Sequence, residues 1–279
     1  MAKVRAMRRS SKLAGDDTFG EEVWAHLNGA PAFEMLERED GTIGLTRGPA
    51  IYFEEFVQWQ PHQQQAMDVV YGSVLDAGAG AGRFALHLQQ QGFEVTAIDN
   101  SPLAVRVCKK RGVRRAKVAS LRDMDASAQI FDTVLLLGGN FGLVESPKRA
   151  PAVLALLHRI TSDGARLIAE SVDPYHPAVP DHLTYARAPH RVRRWAGEIR
   201  MRLRYKRFIG EWFDYLLVSK EEMRALLDGS GWRIQSFLDS GQASYVAVIE
   251  KSGAAPRRVR QPGGRTPART KRSISPKAR

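Results

Sequence analysis

Val74-Leu75-Asp76-Ala77-Gly78-Ala79-Gly80-Ala81-Gly82-Arg83-Phe84 is the stretch on which the fold turns. An apolar run ends in an acid, glycines follow at the alternate positions 78, 80 and 82, and residues 83–91 then take up helical spacing. Glycine lets the backbone turn tightly and approach a ligand closely, and a helix start offers N–H groups that have no partner inside the helix. The stretch therefore predicts a strand at 73–77, a ligand-facing loop and a helix.

Working outward, the same unit repeats. Residues 94–98 read as a second strand ending at Asp99, and Ser101 with Pro102 is a helix start, a capping hydroxyl before a proline at the first helical position. A short strand at 116–119 and a fully apolar one at 133–137 follow. Val153, Leu156, Leu157 and Ile160 then mark a helix, and 165–169 a fifth strand. Ser219-Lys220-Glu221-Glu222 is a capping box opening a helix with Met223, Leu226 and Leu227. Two strands, 232–238 and 244–250, close the body as a hairpin. Strands alternating with helices argue an α/β fold: a doubly wound, seven-stranded, mostly parallel sheet with an antiparallel edge hairpin. The alternation has no use for residues 172–217. There Ile199, Met201, Leu203 and Tyr205 alternate with cations, and a second strand spans 212–218, so the segment reads as an inserted β-hairpin cap over the carboxyl edge of the sheet.

Asp99 falls 23 residues after Asp76, where a carboxylate can accept both hydroxyls of a ribose. A dinucleotide site is the competing reading, but its glycines run G-x-G-x-x-G, whereas these run G-x-G-x-G behind an acid that would repel a pyrophosphate. A ligand with a ribose, an adenine, no phosphate and an amino-acid end suits the arrangement, and S-adenosylmethionine has those parts. On the loop 76–82 and the strand spacing through residue 250, the chain resembles the class I, Rossmann-like S-adenosylmethionine-dependent methyltransferases of small-molecule type.

The resemblance implies residue roles. Gly78, Ala79, Gly80 and Gly82 would line the methionine and ribose, Asp76 would lie under the methionine end, and Asp99 would hold the ribose, with Asn100 flanking the adenosine. The adenine edge falls at Ser120-Leu121, a departure from the family's acid at that place, with Asp123-Met124 as the alternative pair. Asp132 and the run Gly138-Gly139-Asn140-Phe141-Gly142 are expected at the substrate-proximal edge, with Gly139 and Asn140 near the cofactor.

The sequence offers acceptor-side candidates and selects none. Glu170, Asp173 and His62 are candidate bases, and Tyr52, Trp59, Tyr175 and Trp212 are candidate substrate contacts. Cys108 has no activating neighbour and reads as structural. No metal-ligand spacing stands out.

Charge and length bound the rest. The 279 residues carry 42 Lys+Arg, 30 Asp+Glu and one cysteine, net +12. Residues 1–12 hold five cations and residues 251–279 ten, neither with an acid, which leaves 27 cations against 30 acids between them. The high charge thus belongs to two basic ends, expected to be disordered, around a mildly acidic body. The organisation expected is 1–12 basic N-terminus, 13–72 a helical or mixed segment covering cofactor or substrate, 73–250 the methyltransferase-like domain with the 172–217 insertion, and 251–279 a basic tail. One cysteine excludes an internal disulfide, no apolar run is long enough to span a bilayer, and no secretory signal is visible, so a cytoplasmic location is expected.

Residues 187–207 contain nine cations against Glu198 alone, and one face of a strand bearing four cations can follow a phosphate backbone. Against a nucleic-acid substrate, the Asn/Asp-Pro-Pro-Tyr/Phe signature of base-amino methyltransferases is missing after the fourth strand. The favoured expectation is methyl transfer to an N, O or C nucleophile of a small molecule, with no membrane partner. The alternatives are an RNA or DNA methyltransferase using the basic segments and a cofactor-binding protein without turnover.

Overall fold

The computed structural model describes residues 17–125, 127, 129–179, 185 and 195–253. The expectations for residues 1–12 and 254–279, and for Arg187, Arg191, Arg193 and Arg194, lie outside the described residues, but Lys251, expected to open the tail, is buried at the end of the last strand and donates to the His158 and Thr161 carbonyls. In chain order the protein forms helix α1 (Thr18–Leu27), strands β1 (Met35–Arg38) and β2 (Ile43–Leu45) and helix α2 (Pro61–Met67). Then come β3 (Ser73–Ala77), α3 (Arg83–Gln90), β4 (Glu94–Asp99), α4 (Pro102–Arg111), β5 (Ala116–Val118), β6 (Phe131–Leu136), α5 (Ala150–Arg159) and β7 (Thr161–Val172). The chain continues through β8 (Glu198–Tyr205), β9 (Phe208–Ile209), β10 (Phe213–Leu216), α6 (Lys220–Leu227), β11 (Trp232–Asp239) and β12 (Ser244–Lys251).

Seven strands pair in the order β5-β4-β3-β6-β7-β12-β11. The first five are parallel; β12 and β11 join antiparallel, as the terminal hairpin requires. Strand β6 shows why the sheet is covered on both faces. Its Val134 and Leu136 join the core under α5 and α6, with Val153, Leu154, Leu157, Met223 and Leu227. Leu135 and the following Leu137 join the opposite core under α2, α3 and α4, with Met67, Phe84, Leu88 and Val105. Period-two alternation of a wholly apolar strand thus feeds two helical layers at once. The helix starts form as their sequences dictate: Ser101 Oγ accepts the Ala104 N–H, and Ser219 and Glu222 complete a capping box. Strand β7 outruns the expected 165–169 because β12 pairs along it from Arg166 to Val172.

The described part of residues 13–72 is mixed: beside its helices, Met35–Arg38 and Ile43–Leu45 form a hairpin, and β1 pairs antiparallel with β8 in a second sheet. The sheet runs β10-β8-β1-β2, with β9 on β8, so the hairpin of the insertion and the lead-in segment build one cap together. Alternation in β8 sets its two faces. Ile199 packs with Tyr185 and Leu217, beside Met201 and Tyr215. The arginines face the other way. Arg202 and Arg204 both bond Glu37, Arg202 Nε at 2.7 Å, and Arg200 reaches Asp214 at 3.2 Å. The guanidinium of Arg202 also lies 4.4 Å over the Trp212 ring. Three of the four cations on the face expected to follow a phosphate backbone thus pair with carboxylates of the cap itself, and Lys206 lies over the Tyr205 ring.

Candidate active site

At the carboxyl edge of β3 the chain turns through Gly78 and Gly80, at φ +73° and +57°, left-handed values that suit glycine. Space forbids a side chain as well: a Cβ on Gly78 would stand 2.5 Å from Asn140 Nδ2. Asn140 donates from that nitrogen to the Ala77 and Gly78 carbonyls, at 3.0 and 2.9 Å, and so fastens the loop to the end of β6. On the other side Asp99 accepts the Gly80 and Ser101 N–H groups, each at 2.9 Å. Gly82 caps α3, and Cys108 donates its Sγ proton to the Gly80 carbonyl. Burial raises that thiol far above its usual range, so it is inert packing beneath the loop.

Two carboxyls under this loop are buried and electrostatically strained. Asp76 is 2% exposed, and its Oδ2 has no hydrogen-bond partner. Burial, opposed by a backbone N–H bond from Ala85, pushes its pKa up to about 7, with nearby Asp99 adding to the rise. Burial also lifts Asp99 to about 6 against the N–H bonds from Ser101 and Gly80. Asn100 is exposed at the rim. Ser120 and Asp123 bond each other's backbones in a capping box, and Leu121 is buried, so the alternative acid Asp123 is spent on the turn.

The candidate bases divide. Glu170 and His62 come together: His62 Nε2 lies 3.1 Å from Glu170 Oε1. The same carboxylate accepts both hydrogens' worth of contact from Gln63, at 2.9 and 3.1 Å, and the Gly138 N–H at 2.7 Å. Burial alone would raise Glu170, yet the bonds from His62 and Gln63 bring it below its ordinary value, so it is an ionised anchor for the turn at Gly138 and not a free base. Asp173 accepts the Tyr175 N–H in a local turn, away from this network. Asp132 is corrected too. It opens β6, and strands that run parallel put their starts at the edge opposite the loop, where it bonds Ser73 and Ser162.

Of the substrate candidates, Tyr52 alone reaches the loop. With Phe19 it sits over Gly80, whose added Cβ would meet the two rings at 3.6 and 3.4 Å. Trp59 is buried among Phe56, Phe84 and His87, with its indole N–H on the Glu54 carbonyl, so its place is in the core. Tyr175 turns outward to Glu222, and Trp212 lies under Arg202 on the other face of the cap.

Sequence reasoning passed over several residues at the site. Tyr215 of β10 donates to the Gly139 carbonyl at 2.6 Å, pinning the cap to the substrate-proximal turn. Glu34, just before β1, accepts the Tyr52 hydroxyl at 2.9 Å, and Glu22 of α1 is wholly buried beside Glu34. The available signal was an acid on the apolar side of a helix, since Glu22 follows Phe19 by one turn and precedes Val23.

The strand order, the glycine loop and the acid at the end of β4 define a Rossmann-like methyltransferase fold. Residues 74–164 match a family model described as a methyltransferase domain. The solved S-adenosylmethionine-dependent methyltransferase of Bacteroides fragilis, in complex with S-adenosyl-L-homocysteine, is 25% identical. It superposes with a TM-score of 0.74 over 87% of this chain and 98% of that one. A Methanosarcina mazei methyltransferase, 17% identical with a TM-score of 0.51 over 66% of this chain and 95% of that one, shares the fold. Among curated proteins, the ubiquinone biosynthesis O-methyltransferase of Rickettsia conorii is 31% identical over 134 residues, 47% of this chain and 43% of that protein. An uncharacterized methyltransferase of Staphylococcus carnosus is 26% identical over 43% of this chain and 58% of its own length. The chain spans about half the length of these curated relatives.

Residues 74–164 carry a methyltransferase domain, the fold around it is that of S-adenosylmethionine-dependent methyltransferases, and S-adenosylmethionine is the cofactor this site would hold. The residues present fit it. A buried carboxyl oxygen of Asp76 stands without a partner, and Asp99 keeps acceptor sites beyond its two N–H bonds.

Proposed function

We propose that the protein methylates a small molecule enclosed between the glycine loop and the cap sheet. The observation that carries this reading is the closure over the loop: Tyr215 bonds Gly139 from the cap, while Phe19 and Tyr52 stand over Gly80. A site roofed in this way suits an acceptor that enters whole more than a polymer that must lie across the surface. The pairing of Arg200, Arg202 and Arg204 with Asp214 and Glu37 supports the same choice. So does the likeness to the Rickettsia conorii relative, an O-methyltransferase of ubiquinone biosynthesis.

Bound in this cradle, S-adenosylmethionine supplies an electrophilic methyl group on a sulfonium. The work left to the chain is to hold acceptor and methyl in line at near-attack distance and to exclude water. Gly78, Ala79, Gly80 and Gly82 would line the methionine and ribose, Asp76 would face the ammonium end, and Asp99 the ribose hydroxyls. Asn100, Ser120 and Leu121 would border the adenosine, and Gly139 and Asn140 the reacting edge. Tyr52 is the proposed substrate contact. Glu170 and His62 position Gly138 from behind; neither is assigned proton transfer. We place the protein in the cytoplasm, in keeping with its single cysteine and with the fact that, among the described residues, no helix is long and apolar enough to cross a membrane.

The test is calorimetric titration with S-adenosylhomocysteine, followed by turnover assays that read S-adenosylhomocysteine formed with pooled small-molecule acceptors, RNA or DNA. Binding and small-molecule turnover are expected. Turnover confined to a nucleic acid, or binding without turnover on any pool, would overturn the reading.

A further inference from the structure

Glu22 is 0% exposed, and neither carboxyl oxygen has a hydrogen-bond partner; Thr18, one turn earlier on the same face of α1, is 2% exposed and its hydroxyl is unpartnered as well. Glu22 faces the carboxyl of Glu34, which is 6% exposed and already accepts the Tyr52 hydroxyl. Buried polar atoms are almost always paired, because each one left bare forfeits its hydration without return. One proton shared between the two carboxyls satisfies one oxygen of Glu22. The other oxygen and the Thr18 hydroxyl still lack a partner.

The surroundings fix the sign of what is missing. Glu22, Glu34, Tyr52 and Tyr215 interact electrostatically as one group, and Glu170 faces Tyr215 from the main sheet. Arg83 reaches this group through Tyr52 and Glu170, but its guanidinium is bound to Glu54 at 3.0 Å. The neighbouring side chains are aromatic and thioether: Phe19, Tyr52 and Tyr215 border the loop, and Met201 packs beside Tyr215. A donor-rich cation on an apolar body complements such a site; an anion or a second acceptor does not.

We propose that the acceptor molecule is an organic amine whose ammonium group, lacking a lone pair, is the handle held against Glu22, Glu34 and the Tyr52 hydroxyl under the cap, and not the atom that takes the methyl. This rests on the small-molecule reading above and names its substrate class. Burial and the charge of Glu34 keep Glu22 in the acid form while the site is empty. Binding is then an exchange: the carboxylic acid releases its proton to solvent, and the carboxylate it leaves pairs with the ammonium, so one proton appears for each amine bound.

The experiment is titration calorimetry on the full chain at pH 7.5, in buffers of different ionisation enthalpy. Wild type is first titrated with S-adenosylhomocysteine. Then, with and without that compound, 2-phenylethylamine and hexylamine are compared with 2-phenylethanol, 1-hexanol and phenylacetate. The expected result is saturable binding of an amine with about one proton released, and at least tenfold weaker binding of the alcohols and the carboxylate. Glu22→Gln and Glu34→Gln should each weaken the amine at least tenfold, and Glu22→Gln should also abolish the proton release, while both change S-adenosylhomocysteine affinity less than twofold. The unchanged adenosyl affinity certifies their folding. Alcohol or carboxylate binding as tight as amine, no amine binding, or amide variants that lose S-adenosylhomocysteine instead, would each overturn the proposal. Wild-type failure to bind S-adenosylhomocysteine would sink the cofactor reading separately.

Discussion

The Gly80 N–H donates to Asp99 Oδ2 at 2.9 Å, which ties the middle of the glycine loop to the end of the neighbouring strand. Asp99 therefore shapes the cradle as well as offering acceptor sites to a ribose. Asp99→Ala should weaken S-adenosylhomocysteine by about 1.5–3 kcal/mol, the scale of hydrogen bonds to a charged group. Asp99→Asn should fall between the two, because an amide oxygen can still accept from Gly80. Calorimetric Kd values for the three proteins check this, and unchanged affinity in the alanine variant, folded by circular dichroism, would remove Asp99 from the site.

Asn140 fastens the loop from the other side, and Gly78 is the residue against which it packs. Gly92 provides a control, since it also has positive φ, +90°, but nothing lies within 4 Å of its Cβ position. Gly92→Ala should cost about 1–2 kcal/mol, the strain of a left-handed alanine. Gly78→Ala should cost more than that, because Asn140 must also move, and it should abolish measurable cofactor binding. Equal losses in denaturant unfolding would mean that Asn140 makes room freely.

How much of this was legible follows from which residues speak locally. The loop 76–82, Asp99 and the Ser101-Pro102 start signal their roles through backbone demands and short-range hydrogen bonds, so the sequence alone placed them. The terminal hairpin was readable for the same reason. The pairing of β1 with β8 joins residues such as Glu37 and Arg202, which lie far apart in the chain, and no local pattern announces it. The roles of Glu22, Glu34 and Tyr215 depend on that distant pairing, which is why they escaped. Trp59 was misplaced because an aromatic ahead of the first strand suits a substrate wall and a core equally well, and only the position of Phe84 and His87 decides between them.

The arginines of β8 give a third prediction. Because Arg202 and Arg204 are held by Glu37, their replacement should not remove a nucleic-acid track. The Arg202→Ala/Arg204→Ala double variant should bind duplex DNA and RNA within twofold of wild type across a salt series, with the same slope of log K against log salt. A slope reduced by about 2 would mean that both arginines neutralise phosphates.

Glu22 offers a last test that needs no ligand. Its pKa is pushed up to about 11 in the fold, from an ordinary value of 4.5, by burial and then by Glu34. Between those values the folded chain holds a proton that the unfolded chain has lost, so stability from this group is greatest in acid and declines as pH rises, by up to about 1.4 kcal/mol per unit. Asp76 and Asp99 act in the same direction, but their contributions end near pH 7 and 6. Above pH 8 the decline comes from Glu22, joined from about pH 9 by the buried Cys108 thiol, which wild type and a Glu22 variant share. Glu22→Gln, neutral at every pH, should therefore gain stability relative to wild type as pH rises from 8 to 10, in thermal or urea unfolding. A difference that stays flat over that range would mean that Glu22 is already ionised in the folded protein, and that its unpartnered oxygens are satisfied by something other than a proton.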